Sequence, residues 1–245
     1  MAAHPVAIKI DVGQHLVWKI FGLSVNGDTI LATLFAGALL IGLGLFMRAR
    51  VSVAKPKGVQ LFFETVTNWV EGQVESTMGI RTAPFVVPLA VTLFCFILFA
   101  NWLSILPGVH HGKQELLAPP ASDANLAYAM ALLVVVWMHV TGIRNKGVKG
   151  YYHHLVTPSV WLLPINIIEE IVRPVTLSLR LFGNIFSGLI MVLLITAMPV
   201  AIFWLPELIW KLFDMFIGLI QAFIFSLLTI LYFGSTKPAE EGAHH

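Results

Sequence analysis

Charge stands where lipid-compatible residues dominate in two stretches of this sequence. Residues 164–199 set Glu169, Glu170, Arg173 and Arg180 among Ile, Leu, Val and Phe, and residues 206–233 hold Glu207, Lys211 and Asp214 in a similar background. At the centre of a bilayer each such side chain costs about 2.5–3.5 kcal/mol on insertion scales, so an ionisable group there marks a functional route. Carboxylates can take up and release protons. A guanidinium stays protonated in proteins, so Arg180 can hold a charge without relaying one. The chemistry these types offer is ion translocation rather than bond making.

The spacing puts these residues on faces. Asn166, Glu169, Arg173, Thr176, Arg180, Asn184 and Ser187 are three or four apart and share one side of a helix, and Glu207, Lys211, Asp214, Gly218 and Gln221 repeat the pattern. A short connection makes the two helices antiparallel neighbours, with Arg180 and Gln221 at similar depth. Glu169, Glu170 and Arg173 then lie toward one membrane surface and Glu207, Lys211 and Asp214 toward the other, with Arg180 between two aqueous routes. A plainer role competes at some positions. Glu169 with Arg173 is equally a salt bridge within one helix, and Glu207 with Lys211 fits that description better than it fits a channel. Arg180 has no acidic residue three or four positions away, so its partner is expected elsewhere.

Composition fixes the class of the elements that carry these residues. Of 245 residues, 58% are hydrophobic and 11% charged, against about 25% charged in soluble domains, and the mean hydropathy is +0.84. The chain is expected to be an all-α integral membrane protein forming a single membrane domain. Five membrane-crossing helices are predicted, over residues 29–47, 84–106, 125–142, 158–198 and 206–233, with an amphipathic helix over 58–78 on the cytoplasmic surface or against a partner. In that helix Leu61, Phe62, Val66, Trp69, Val70 and Val74 recur opposite Glu64, Glu71 and Glu75. Residues 1–28 form an outer segment without the pattern of a cleavable signal, and 234–245 form a polar tail. Arg48, Arg50, Lys55 and Lys57, then Arg144, Lys146 and Lys149, fall in loops that the positive-inside rule assigns to the cytoplasm. The N-terminus is therefore expected outside and the C-terminus in the cytoplasm. One helix over 158–198 would be about 60 Å long, roughly twice the hydrocarbon thickness. The last two helices are thus expected to be long and strongly tilted, packed as an antiparallel hairpin.

Other chemistries find little purchase. The net charge of +2 comes from short basic clusters, which argues against nucleic-acid binding. Cys95 is the single cysteine, and most histidines fall outside the predicted spans with no i, i+4 pair, so no metal site or cofactor is expected. Residues 147–152, GVKGYY, lack the spacing of a phosphate-binding loop. A secondary transporter would show repeated broken helices in both halves, whereas the polar stripes lie in the C-terminal third. A haem-binding electron-transfer subunit needs axial ligands at depth, and only His139 falls in a predicted span.

At LSLRLFGNIFSG (177–188) and LIQAFIFSLLTILYF (219–233) the sequence resembles the subunit a family of F-type rotary ATP synthases. The resemblance extends through PKG (56–58), NWLSILPG (101–108), PPASDANLAYAMAL (119–132) and LLPINIIEEIVRPVTLSLRLFGN (162–184). It implies a non-catalytic, proton-conducting stator subunit in which Arg180 faces the carboxylates of a ring of c-type proteolipids. An opposite charge within about 4–6 Å lowers a carboxylate pKa by one to three units, so an arriving site would lose its proton near Arg180. The resemblance also implies peripheral-stalk b-type subunits as partners and a multi-pass place in the bacterial plasma membrane. It assigns Asn184 and Gln221 to the neighbourhood of Arg180, Asp214 to the outer half-channel, and Glu169 and Glu170 to the cytoplasmic one. Glu207, Lys211, Arg173 and Ser187 are secondary candidates. The sequence departs from the family at Leu189, where many members carry Glu or His, at Asp214, where His is usual, and at Ser104, where Asp or Glu is frequent.

Overall fold

The computed structural model describes residues 17–20, 23–52, 56–80, 83–103, 110–111, 114–115, 124–153 and 204–236, with scattered positions between 168 and 202. Helices α1 (Gly27–Arg50), α2 (Val59–Thr77), α3 (Val86–Trp102), α4 (Ala124–His153) and α5 (Trp204–Gly234) make up most of it. Every described position from 168 to 195 is also helical. Two short antiparallel ladders, absent from the sequence expectation, pair β1 (Val17–Ile20) with β2 (Leu23–Asn26) and β3 (His110–His111) with β4 (Gln114–Glu115).

Among the described helices, α1, α4 and α5 are long and apolar enough to cross a membrane, over Thr29–Arg50, Asn125–Tyr151 and Trp204–Gly234, and α3 is a shorter apolar helix. A helix pairs its backbone groups within itself, which hydrocarbon demands. α1 shows the solvent it suits: it buries Ala32 and Ala36 while Leu34, Ile41 and Leu45 stand exposed on its other sides. Its last turn carries Arg48 and Arg50, cations that complement the negative end of the helix dipole, and the Arg50 guanidinium lies 5.0 Å from the Phe46 ring centroid. Gln60 then fastens the connection to α2. The Ser52 N–H donates to Gln60 Oε1 at 3.0 Å, and Gln60 Nε2 donates to the Ser52 carbonyl at 2.8 Å and to Glu64 Oε1 at 2.6 Å.

The amphipathic pattern of α2 becomes packing. Val66, Val70 and Val74 are buried with the core, Glu71 and Glu75 are exposed, and the Trp69 ring stacks on Phe223 of α5 at 4.5 Å while lying 6.0 Å from Phe94 of α3.

α3 and α5 form the centre of the bundle. Ser226 Oγ donates to the Ala90 carbonyl at 3.1 Å, Asn101 Nδ2 to the Gly218 carbonyl at 3.2 Å, and Trp102 Nε1 to the Met215 carbonyl at 3.2 Å. As residue numbers rise along α3 their partners' numbers fall along α5, so the helices run antiparallel. Phe85, before α3, meets Phe233, near the end of α5, ring edge to face at 5.6 Å.

The helix expected over 125–142 continues as α4 to His153, with a break at Gly147, whose φ of +71° an L side chain rarely adopts. Past this break Tyr151 folds back onto Gly142, where its ring takes the space a Cβ would need, and Tyr151 is buried against His139. Just before the break, Lys146 Nζ donates to the Ser235 carbonyl at 2.8 Å, and Asn145 Nδ2 reaches the Thr236 carbonyl at 3.5 Å. These donors meet carbonyls at the C-terminal end of α5, where a helix leaves its last acceptors unpaired.

Candidate functional site

The face of α5 that carries the polar stripe turns toward its neighbours, and the opposite face does not. Leu205, Ile209, Leu212, Phe216 and Leu219 are exposed along one side. On the other, Gly218 and Gln221 are buried and Glu207, Lys211 and Asp214 are half-buried. Spacing by threes and fours in an apolar helix produces this division.

Glu207 and Lys211, at the start of the stripe, form a salt bridge of 3.2 Å. Four residues apart on one helix, they neutralise each other locally, which is the plainer of the two roles their spacing allowed.

Asp214 lies against the backbone of Gly188. A Cβ on that glycine would stand 3.1 Å from Asp214 Oδ1 and 3.6 Å from Cγ. Gly188 is buried, and Ser187 beside it is exposed, its hydroxyl donating to the Gly183 carbonyl at 2.8 Å. Thr176, another described member of the 166–187 stripe, is also exposed. Thus Asp214 and Gly188, which no local sequence rule joins, bring the two polar segments into contact. Of the residues singled out from the sequence, Asn166, Glu169, Glu170, Arg173, Arg180 and Asn184 lie outside the described residues, as do Leu189 and Ser104.

Gly218 and Gln221 continue the stripe. At Gly218 α3 and α5 approach so closely that an added Cβ would lie 2.9 Å from Asn101 Cβ. Gln221, one turn on, is 5% exposed, and its Nε2 finds no hydrogen-bond acceptor among the described residues. A buried amide donor without an acceptor costs about 1–3 kcal/mol.

Asn101 is the residue the sequence reading passed over. It lies within the NWLSILPG motif, is 6% exposed, and reaches the polar stripe of α5 from another helix. A buried Asn near the end of an otherwise apolar helix was the available signal. His139 turns inward for a plainer reason, with Nδ1 2.8 Å from the Val135 carbonyl of its own helix.

The family model described as ATP synthase A chain matches residues 30–234. The chain belongs to the ATP synthase subunit a family. An ATP synthase subunit a of Mycobacterium marinum is 51% identical over 245 residues, covering 98% of each chain. That of Mycobacterium tuberculosis is 50% identical over 245 residues, again with 98% of each covered. That of Acidothermus cellulolyticus is 48% identical over 241 residues, covering 98% of this chain and 88% of the relative. A subunit a is a membrane component of the F-type enzyme and works within the rest of the ATP synthase complex, in keeping with the apolar helices described above. The α5 face from Glu207 to Gln221 and the residues that meet it fall within the matched region.

Proposed function

We propose that this subunit a conducts protons between the two membrane surfaces and the carboxylates of a rotating c-ring, as the stator of the motor. Arg180 separates two half-channels, with Asn184 and Gln221 beside it. Asp214 is the main ionisable group of the outer half-channel, and Glu169 and Glu170 serve the cytoplasmic one. Arg173 and Ser187 border these routes, and the Glu207–Lys211 pair stands at the outer mouth. A c-ring carboxylate arriving beside the fixed guanidinium is favoured as the anion and releases its proton; moving on into lipid, it must be neutral again. The ATP chemistry belongs to partner subunits, and b-type stalk subunits hold this one still. The chain sits in the bacterial plasma membrane, with the N-terminus outside.

The contact of Asp214 with Gly188 carries this reading. Gly188 follows Arg180 by eight residues and Asp214 precedes Gln221 by seven. In an antiparallel hairpin touching at the first pair, those separations bring Arg180 and Gln221 to nearly one level, with the carboxylate about 10 Å away along the axis. That is the layout of a permanent charge with a proton-carrying group set to one side of it. The same pairing accounts for Leu189: with the Asp214 carboxylate already seated at position 188, the ionisable group of the outer route comes from α5.

The test is passive proton flux through membrane vesicles stripped of the catalytic head. Asp214→Asn is expected to lower flux by about tenfold or more, the scale on which loss of one proton-transfer group acts. Wild-type flux in that variant would remove Asp214 from the route.

A further inference from the structure

We infer that Asn101 and Trp102 are positioning residues for the proton route, acting through α5 rather than on the proton itself; this rests on the function proposed above. The two adjacent side chains donate to carbonyls three residues apart on the same helix, Asn101 Nδ2 to Gly218 and Trp102 Nε1 to Met215, both at 3.2 Å. Met215 adjoins Asp214, and Gly218 lies between Asp214 and Gln221 on their face. One hydrogen bond between helices leaves rotation about the contact free. Two, to carbonyls almost one turn apart, fix both the rotation and the axial setting of the segment that carries the site.

The helix contact is built for this clasp. Gly218 lets α5 approach until an added Cβ would stand 2.9 Å from Asn101 Cβ and 3.4 Å from its Nδ2. Asn101 is 6% exposed, and in an apolar interior the alternative to making the bond is an unsatisfied amide. Farther along the same interface, Ser226 Oγ bonds to the Ala90 carbonyl at 3.1 Å, which holds the two helices together beyond Gln221. Gln221 therefore lies between two fastenings of α5 to α3, and Asp214 immediately precedes the first of them. A half-turn of slack at the Asn101 end would swing Asp214 away from Gly188 while leaving the helix intact.

The experiment uses the whole ATP synthase in membrane vesicles, with passive proton flux through head-stripped membranes divided by the amount of assembled complex. Trp102→Phe keeps an aromatic ring and removes the donor, and Asn101→Leu keeps the branched shape, with somewhat greater volume, and removes the amide. Each is expected to lower flux per complex by about three- to tenfold, the scale of one net hydrogen bond, and to shift its pH profile. A purely structural role would lower only the amount of complex. Arg180→Ala and Asp214→Asn run beside them. If those two alter flux while Trp102→Phe and Asn101→Leu match wild type per complex with an unshifted profile, the clasp is overturned and the proton route stands. If Arg180→Ala and Asp214→Asn leave flux unchanged, the route itself fails. Should Asn101→Leu not assemble, Trp102→Phe decides alone.

Discussion

Gly188 and Asp214 meet across two segments of the chain, at a distance where an added Cβ would stand 3.1 Å from the carboxylate oxygen. The absence of a side chain on one helix makes room for an ionisable one on the other. A graded series follows from the distance. Gly188→Ala asks the carboxylate to give by a few tenths of an ångström, and Gly188→Val asks for more. Passive proton flux per complex is expected to fall about two- to fivefold in the first and further in the second, because misplacement of a reacting group acts steeply on rate. Equal flux across the series would show that Asp214 does not work from this position.

Glycines elsewhere separate contact from conformation. Gly142 lies under the Tyr151 ring, whereas a Cβ on Gly37 would meet nothing within 4 Å. Gly142→Ala is expected to destabilise by about 1–3 kcal/mol through overpacking, while Gly37→Ala is neutral or stabilises by about 0.5–1 kcal/mol through helix propensity. Thermal unfolding of the purified complex, followed by loss of this subunit, ranks them. A less stable Gly37→Ala variant would place an unseen contact on that face of α1.

The bond from Lys146 to the Ser235 carbonyl holds the end of α5. Lys146→Ala is expected to fray the last turn, raising amide hydrogen exchange over residues 230–236 by about three- to tenfold, the effect of one charge-assisted bond at a partly exposed helix end. Lys146→Arg should restore most of the protection. Exchange confined to the region of the substitution itself would contradict the link between α4 and α5.

How much of this was legible in the sequence depended on the range of the interaction. Apolar length and helical periodicity are local, so α1, α2, α3 and α5 overlie the runs expected at 29–47, 58–78, 84–106 and 206–233. The i, i+4 pairing of Glu207 with Lys211 was readable for the same reason. α4 extends farther than its apolar run, because hydropathy stops at Arg144 while the helix continues through polar residues to Gly147, restarts past it, and is held by Tyr151 packing on Gly142. Composition alone does not weigh such a tertiary contact. The Asn101 bond to Gly218 and the Gly188 contact with Asp214 join distant residues, and a buried polar or small residue announces that it has a neighbour without naming it. The polar face of α5 was therefore readable as a face, and its partners were not.

The central claim, that a permanent charge at Arg180 parts two proton routes, is tested most directly by ATP-driven proton pumping in the Arg180→Lys enzyme. Lysine can lose its proton when buried, so it cannot guarantee the barrier that a guanidinium does. Assembled complexes carrying this substitution are expected to build no ATP-driven proton gradient, whereas pumping near the wild-type rate would contradict the separating role of Arg180.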